Sequence, residues 1–493
     1  MHFSILLSLS MLIFPVAVYS SETSLSLTLN DAIRMAVEKN LDVRAELYNP
    51  AQYEADINRY RSIYDPLFTI QTNYKDSTSA TVSSGGKAVE SQVLDLNTSI
   101  SRLFWTGGTA AITFDNGYTN SNVVTPSNSW QTGLKASINQ PLLKNMGREA
   151  TEININISRS QKFASLERFN AILLTTVAQV RTEYFKLYSL REERDVKKVS
   201  LELARKILSE TQARVKAGVL PAMEILNAEF GAVTREKELI DAELAVSNQV
   251  DVLRLLLQLD AGGDLQTVDL PPRDRFDAIE GEAIQKALNR PDIREQKRNL
   301  ELYELQTRNL SQKTRPDLTL TASAQLTGLD SAYQRNLDKV LTLDYPVWNV
   351  GLNFSYPLGN GAAENDYRRS RLKTEQTSLL LRSLEENSAK EVRAAIRNVT
   401  AGYKQIEVTD RGTVFAEERL RAFIRKNEVG LATTKDVLDV ENDLAVSKSN
   451  QIKAVVGYAN ALTVYWQATG ELLEREGIRV VERDADKLYS SVH

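Results

Sequence analysis

The chain repeats itself, and this duplication limits its fold more than any other feature of its 493 residues. Ala32-Ile33 followed by Asp42-Val43-Arg44 recurs as Ala283-Ile284 followed by Asp292-Ile293-Arg294. Both lead to a proline-marked strand start, Asp65-Pro66 and Arg315-Pro316. Trp130, Gly133-Leu134 and Gln140-Pro141-Leu142 return as Trp348, Gly351-Leu352 and Tyr356-Pro357-Leu358. Gly218 with Glu224-Ile225-Leu226 and Glu229 returns as Gly430 with Asp436-Val437-Leu438 and Glu441. Each copy reads helix, strands, long helix, tight turn, helix.

The strand segments alternate. Phe68, Ile70 and Tyr74 oppose Thr69, Gln71 and Asn73; Leu318, Leu320, Ala322 and Ala324 oppose Thr319, Thr321 and Ser323; Leu352, Phe354 and Tyr356 oppose Asn353 and Ser355. A sandwich with one wet face gives this pattern. So does a membrane barrel with a watery lumen, which the Thr, Ser, Asn and Gln of the polar face suit, in strands of about ten residues. Residues 94–118 alternate further around Thr106-Gly107-Gly108, which adds an extracellular hairpin or lengthens the strands of the first copy.

Residues 149–217 contain neither proline nor glycine, and Leu166, Leu173, Val177, Val180, Tyr184 and Leu187 recur at helical spacings. Such a helix is about 100 Å long at 1.5 Å per residue. The chain turns at Gly218-Val219-Leu220-Pro221, but the returning stretch 221–258 is too short to match it, and 280–313 makes up the difference. In the second copy 362–426 is matched likewise by 434–469 with 28–62. The breaks, marked by Ala261-Gly262-Gly263 and Pro271-Pro272, are expected to form a belt around the rod. Pro141 and Pro357 mark where strand gives way to helix, since proline removes a ladder donor.

Composition serves mainly to exclude. The only histidines are His2 and His493 and cysteine is absent, so no Ser-His-Asp triad, histidine zinc site, disulfide framework or lipid-anchoring cysteine can be built. No glycine-rich phosphate loop is present. An enzyme, a cofactor and a resident metal are therefore not expected. A net charge of −4 argues against nucleic acid as a partner. Met1–Ser20 reads as a secretory signal ending in Val18-Tyr19-Ser20, with a mature start near Ser21 or Glu22. Beyond it no apolar run reaches the roughly 18 residues a spanning helix needs, so any membrane crossing must use strands.

Leu27-Thr28-Leu29-Asn30-Asp31-Ala32, the two junction prolines, the tip Val429-Gly430-Leu431-Ala432 with Asp436-Val437-Leu438-Asp439, and Thr469-Gly470-Glu471-Leu472 carry a resemblance over essentially the whole mature chain. The sequence resembles the TolC-like outer-membrane efflux proteins. The resemblance implies an α+β, mainly α, fold built from two internal repeats. It implies a homotrimer whose shared β-barrel lies in outer-membrane lipid and continues as a long periplasmic α-helical barrel. Each subunit of that family gives four strands, two per repeat, a count the alternation at 94–118 puts in question.

The corresponding partition is 1–20 signal, 21–64 N-terminal segment and short helix, 65–143 strands, 144–262 helical hairpin, 263–314 equatorial segment and short helix, 315–358 strands, 359–470 helical hairpin and 471–493 tail near the belt. By resemblance Asp436 and Asp439 match acidic rings at the pore constriction. The tip residues Gly218, Leu220, Gly430, Leu431 and Ala432 would dock a periplasmic adaptor protein joined to an inner-membrane transporter. Glu224 matches the acid of a latch whose arginine and tyrosine partners are replaced here by Ala432 and Asn427, so closure by other contacts is expected, with Arg425, Lys426 or Lys435 as candidates. Thr433-Thr434-Lys435-Asp436 also reads as a helix N-cap with an acid at N3, which needs no pore. A membrane-anchored coiled-coil protein of structural or adhesive role is the alternative, although it gives no reason for two matched strand-helix units.

Overall fold

Glycine and proline punctuate this chain at the ends of its elements, and the computed structural model follows them. It describes residues 25–80, 88–123, 125–260, 262–343, 345–478 and 482–491; the signal segment and Ala261 lie outside. The order begins β1 (Leu25–Leu27), α1 (Leu29–Lys39), α2 (Leu41–Arg61), β2 (Leu67–Ala80), β3 (Ala88–Leu103), β4 (Thr109–Ser121) and β5 (Asn128–Pro141). Then come α3 (Arg148–Thr151), α4 (Ile153–Lys216), α5 (Met223–Leu257), β6 (Leu265–Thr267), α6 (Glu280–Ala287), α7 (Pro291–Lys313) and β7 (Asp317–Asp330). The chain ends with α8 (Tyr333–Leu341), β8 (Pro346–Ser355), α9 (Gly361–Glu428), α10 (Thr434–Thr469), α11 (Leu472–Arg475) and α12 (Glu482–Ser491). No described helix is long and apolar enough to cross a membrane.

The chain divides into two compact units. One contains the described residues up to Arg44 with Leu173–Ala283 and Glu391–Ile478. Here β1 and β6 pair in parallel, which ties the start of the chain to the segment after the first hairpin. Tyr184 on α4 secures the join: its hydroxyl donates to Leu27 O at 2.8 Å and accepts from the amides of Val268 and Asp269 at 3.0 Å. Burial pushes the Tyr184 phenol up to about 12. Leu187, Val246, Val250, Leu253 and Leu265 form the core beside it. Arg181, buried in the same region, bonds Glu476 and Thr463 and stacks on Trp466.

The other unit contains Ala45–Ile172, Ile284–Lys390 and α12. Its sheet is antiparallel, in the order β2-β3-β4-β5-β7-β8. The first copy thus carries four strands against two in the second, and residues 94–118 form most of two full strands. The turn between β3 and β4 corrects the expectation of an extracellular hairpin. Its Thr106 O accepts from Gly147 N at 2.9 Å, which puts it at the end of the sheet where β5 passes into helix. Gly107 there has φ +85°, and a Cβ would meet Asn145 O at 2.6 Å, so only glycine fits. The strands run 10 to 16 residues, longer than expected.

There are three further departures. The short helices are each broken in two. Asn40 ends α1 and caps α2, its Oδ1 accepting from Asp42 N and Val43 N, and Pro291 opens α7 after a non-helical turn. The short helices also exchange partners relative to expectation. Asn40 donates to Leu256 O at the end of α5, and α2 lies on α4 through Lys162–Glu54 and Arg168–Glu46. Asp274 O accepts from Tyr458 on α10, and α7 lies on α9 through Thr307–Ser370 and Lys297–Glu385. Finally, α8 interrupts what reads as a strand region. It packs on β5 and β7, where buried Asn336 donates to Thr132 Oγ1 at 2.5 Å.

Candidate channel wall and hairpin tips

Strand alternation, in register, gives the sheet two unlike faces. One transverse row reads Phe68, Ile100, Ile112, Ala136, Ala324 and Trp348, and the next Ile70, Thr98, Phe114, Leu134, Leu326 and Pro346. Trp348 is 80% exposed and Ile112 60%, so the apolar face has nothing of this chain over most of it. Among its polar residues, Asn116 and Thr132 bond each other, and Thr132 is fully buried where α8 packs on β5. Toward the end of the sheet away from the β5–α3 junction Tyr74, Tyr118 and Trp130 share a row, and the Trp130 ring lies 4.9 Å from Tyr118 and 5.0 Å from Tyr333 of α8. The opposite face is polar, with rows such as Gln71, Asn97, Asp115, Gly133 and Thr327. Pro141 is the last residue of β5, and Pro357 stands between β8 and α9, both at the junctions read from the sequence.

The two hairpin tips lie in the other unit and close alike. Gly218 (φ +77°) and Gly430 (φ +79°) end α4 and α9, and the following amides, Val219 N and Leu431 N, reach back to Arg214 O and Lys426 O at 2.9 and 2.8 Å. A Cβ on either glycine would meet nothing, so the left-handed backbone alone requires glycine. Leu431 is 78% exposed, while Leu220 and Ala432 are half-buried. Thr433 and Asp436 form a reciprocal capping box: Asp436 N donates to Thr433 Oγ1 at 3.1 Å, and Thr433 N to Asp436 Oδ2 at 2.8 Å. That backbone donor, with the Thr433 hydroxyl, holds the Asp436 carboxyl below its usual range. Asp439 is exposed one turn on. Glu224 sits in the first turn of α5 with Oε2 buried and no hydrogen-bond partner.

Contacts other than the anticipated ones join the hairpins. Arg214 on the first donates to Asn427 on the second, to its O at 3.1 Å and Oδ1 at 3.3 Å, and Asn427 in turn donates to Ala432 O at 3.0 Å. Among the described residues Arg425, Lys426 and Lys435 form no ion pair with Glu224, and Lys426 lies over the Phe423 ring instead. Deeper in, Arg235 on α5 meets Glu441 on α10 at 3.0 Å and also holds Leu438 O, while Ser200 on α4 donates to the other Glu441 oxygen. The Arg235 and Glu441 side chains are 10% and 5% exposed. Sequence reading left this pair out because Glu441 looked like the repeat of Glu229, which is exposed. Gly231 opposite Leu438, where a Cβ would come within 2.7 Å, brings α5 and α10 close enough for it.

A family model described as "Outer membrane efflux protein" matches residues 32–258 and 283–471, which is both copies of the repeat. The chain belongs to that family. Its sequence is 24% identical over 387 residues to the pyoverdine export outer membrane protein OpmQ of Pseudomonas aeruginosa, covering 73% of this chain and 76% of the relative. It is 24% identical over 277 residues to nodulation protein T of Rhizobium leguminosarum bv. trifolii, covering 55% and 58%. In fold it is similar to the Campylobacter jejuni CmeC outer membrane channel, with a TM-score of 0.66 at 17% identity over 99% of this chain and 97% of that one. It is similar also to the Vibrio cholerae outer membrane protein VceC, with a TM-score of 0.64 at 15% identity over 90% and 96%. As an outer membrane efflux protein the chain is an outer-membrane transport protein of TolC-like fold, from a family of channels.

Proposed function

We propose that this outer membrane efflux protein is the outer-membrane subunit of a tripartite efflux or type I secretion assembly, three copies of which enclose one water path from a periplasmic pump complex to the exterior. The sheet carries the reading. Its six strands are fewer than the roughly eight of the smallest membrane barrels, a mainly apolar and a mainly polar face run across all six, and among the described residues β2 and β8 each pair on one side only, with β3 and β7. Several copies must share one wall, apolar side to lipid. The relative named for pyoverdine export supports outward flow.

At the tips, exposed Val219, Leu431 and Val429 form an apolar surface suited to a periplasmic adaptor, which connects to an inner-membrane transporter that supplies the energy. Three copies of Asp436 and Asp439 at the constriction would concentrate negative potential and favour cations. Asp436 does this while also capping α10. Single-channel recording in planar bilayers tests the reading. Ohmic, cation-preferring steps are expected, with the preference reduced in Asp439→Asn and Asp436→Asn. A purified protein that is electrically silent overturns the channel, and unchanged selectivity in both variants removes these acids from the constriction.

A further inference from the structure

The two copies of the repeat do not contribute equally to the sheet. β2 and β7 follow matching prolines, Pro66 and Pro316, and β5 and β8 carry the matching Trp130 and Trp348 and lead to the matching Pro141 and Pro357. The strands with no counterpart are β3 and β4. We propose that this hairpin is inserted into the barrel wall itself, so that every chain gives six strands and a three-chain assembly closes with eighteen.

Three observations carry this. The pair lies between β2 and β5 in the hydrogen-bonded order, with unbroken registers of Leu67–Ala80 on one side and Asn128–Asn139 on the other. Its side chains continue both faces: Leu94, Leu96, Ile100, Ile112, Phe114 and Tyr118 extend the apolar one, and Asn97, Ser99, Thr113 and Asp115 the polar one. A hairpin folded over a lumen or away from lipid would have no reason to keep that alternation. Finally, six is even, so β2 and β8 run in opposite directions, and β8 of one copy meets β2 of the next in the antiparallel sense of the rest of the sheet. The contact is head to tail and closes as a ring.

Barrel diameter grows roughly in proportion to strand number, so eighteen strands give a wall about 1.5 times as wide as two strands per repeat would. The inserted strands also bring Asp95 and Asp115 to the polar face, adding two acids per chain to a lumen that the other strands line with Lys75 and Lys135. The outer mouth is then wide and is not where passage is limited.

The number eighteen rests on the three-chain reading, but six strands per chain does not, and single-particle imaging of the detergent-extracted protein separates the two. Six wall strands for each chain in the particle are expected, with a wall about one-third narrower when residues 81–121 are deleted to join β2 to β5 through the 122–127 connection. Four wall strands per chain, with β3–β4 lying outside the wall, overturn the inference even in a trimer. Six strands per chain in a particle of another copy number leave the inference standing and overturn the three-chain reading. Should the deletion variant fail to assemble, the strand count of the intact protein still decides.

Discussion

The buried pair Arg235–Glu441 is the contact through which α5 and α10 hold each other, and its removal is expected to loosen both hairpins. Arg235→Met leaves a carboxylate that is 5% exposed with only the Ser200 hydroxyl for company, and Glu441→Leu leaves the guanidinium with only Leu438 O. Breaking one side of such a buried pair costs about 3–5 kcal/mol, whereas replacing both sides with apolar groups of similar volume is near neutral or stabilising. At about 1.4 kcal/mol per decade, each single variant should raise amide exchange from local opening by about 10²-fold to a few thousand-fold. Peptides around 200–206, 232–239 and 437–445 should report this in hydrogen-exchange mass spectrometry, and the double variant should exchange close to wild type. A double variant that exchanges as fast as the two single effects combined would mean the residues act independently and would refute the argument. In bilayers the single variants should also open more often than the double.

Three other substitutions probe separate parts of the chain. Trp348→Lys, on the apolar face, should cost about 2–4 kcal/mol of barrel stability if that face meets lipid at mid-depth, whereas Asn349→Lys, its neighbour on the polar face, should cost much less; heat-modifiable mobility of the assembled protein measures both. Tyr184→Phe leaves the Asp269 amide without its partner, while Val268 N and Leu27 O keep each other at 3.2 Å, and should cost about 1–3 kcal/mol at the β1–β6 join, read as faster exchange of the Asp269 amide. The capping box gives a pH dependence: because folding lowers the Asp436 carboxyl, its contribution is whole above the ordinary carboxylate value near about 4 and fades as pH falls through the lowered one. Tip exchange should therefore accelerate on acidification in the wild type, and Asp436→Asn should remove that acid-side change.

The long helices were legible because their evidence is local. The proline- and glycine-free stretch 149–217 appears as α3 and α4, interrupted only at Glu152, and Gly218 and Gly430 stand at the turns read for them. The strand count was legible only in part. In β3 and β4 the apolar face includes Thr98 and Asn116 and the polar face Val93, so alternation weakens where neighbouring strands and α8 complete the pattern. For α8 the signal was present, since Tyr333, Leu337, Val340 and Leu341 recur at helical spacing within what looked like a strand region. The partner exchange of α2 and α7 had no sequence signal, because helix lengths match either way. The Arg235–Glu441 pair likewise depends on two residues 206 apart, and nothing local distinguishes Glu441 from exposed Glu229.

The proposed transport depends on several identical chains walling in one aqueous passage. Native mass spectrometry of the detergent-extracted particle, paired with conductance of the same preparation after reconstitution, examines that dependence directly. A particle of three chains that conducts in discrete steps is the predicted result. A single-chain particle that passes no current would contradict it.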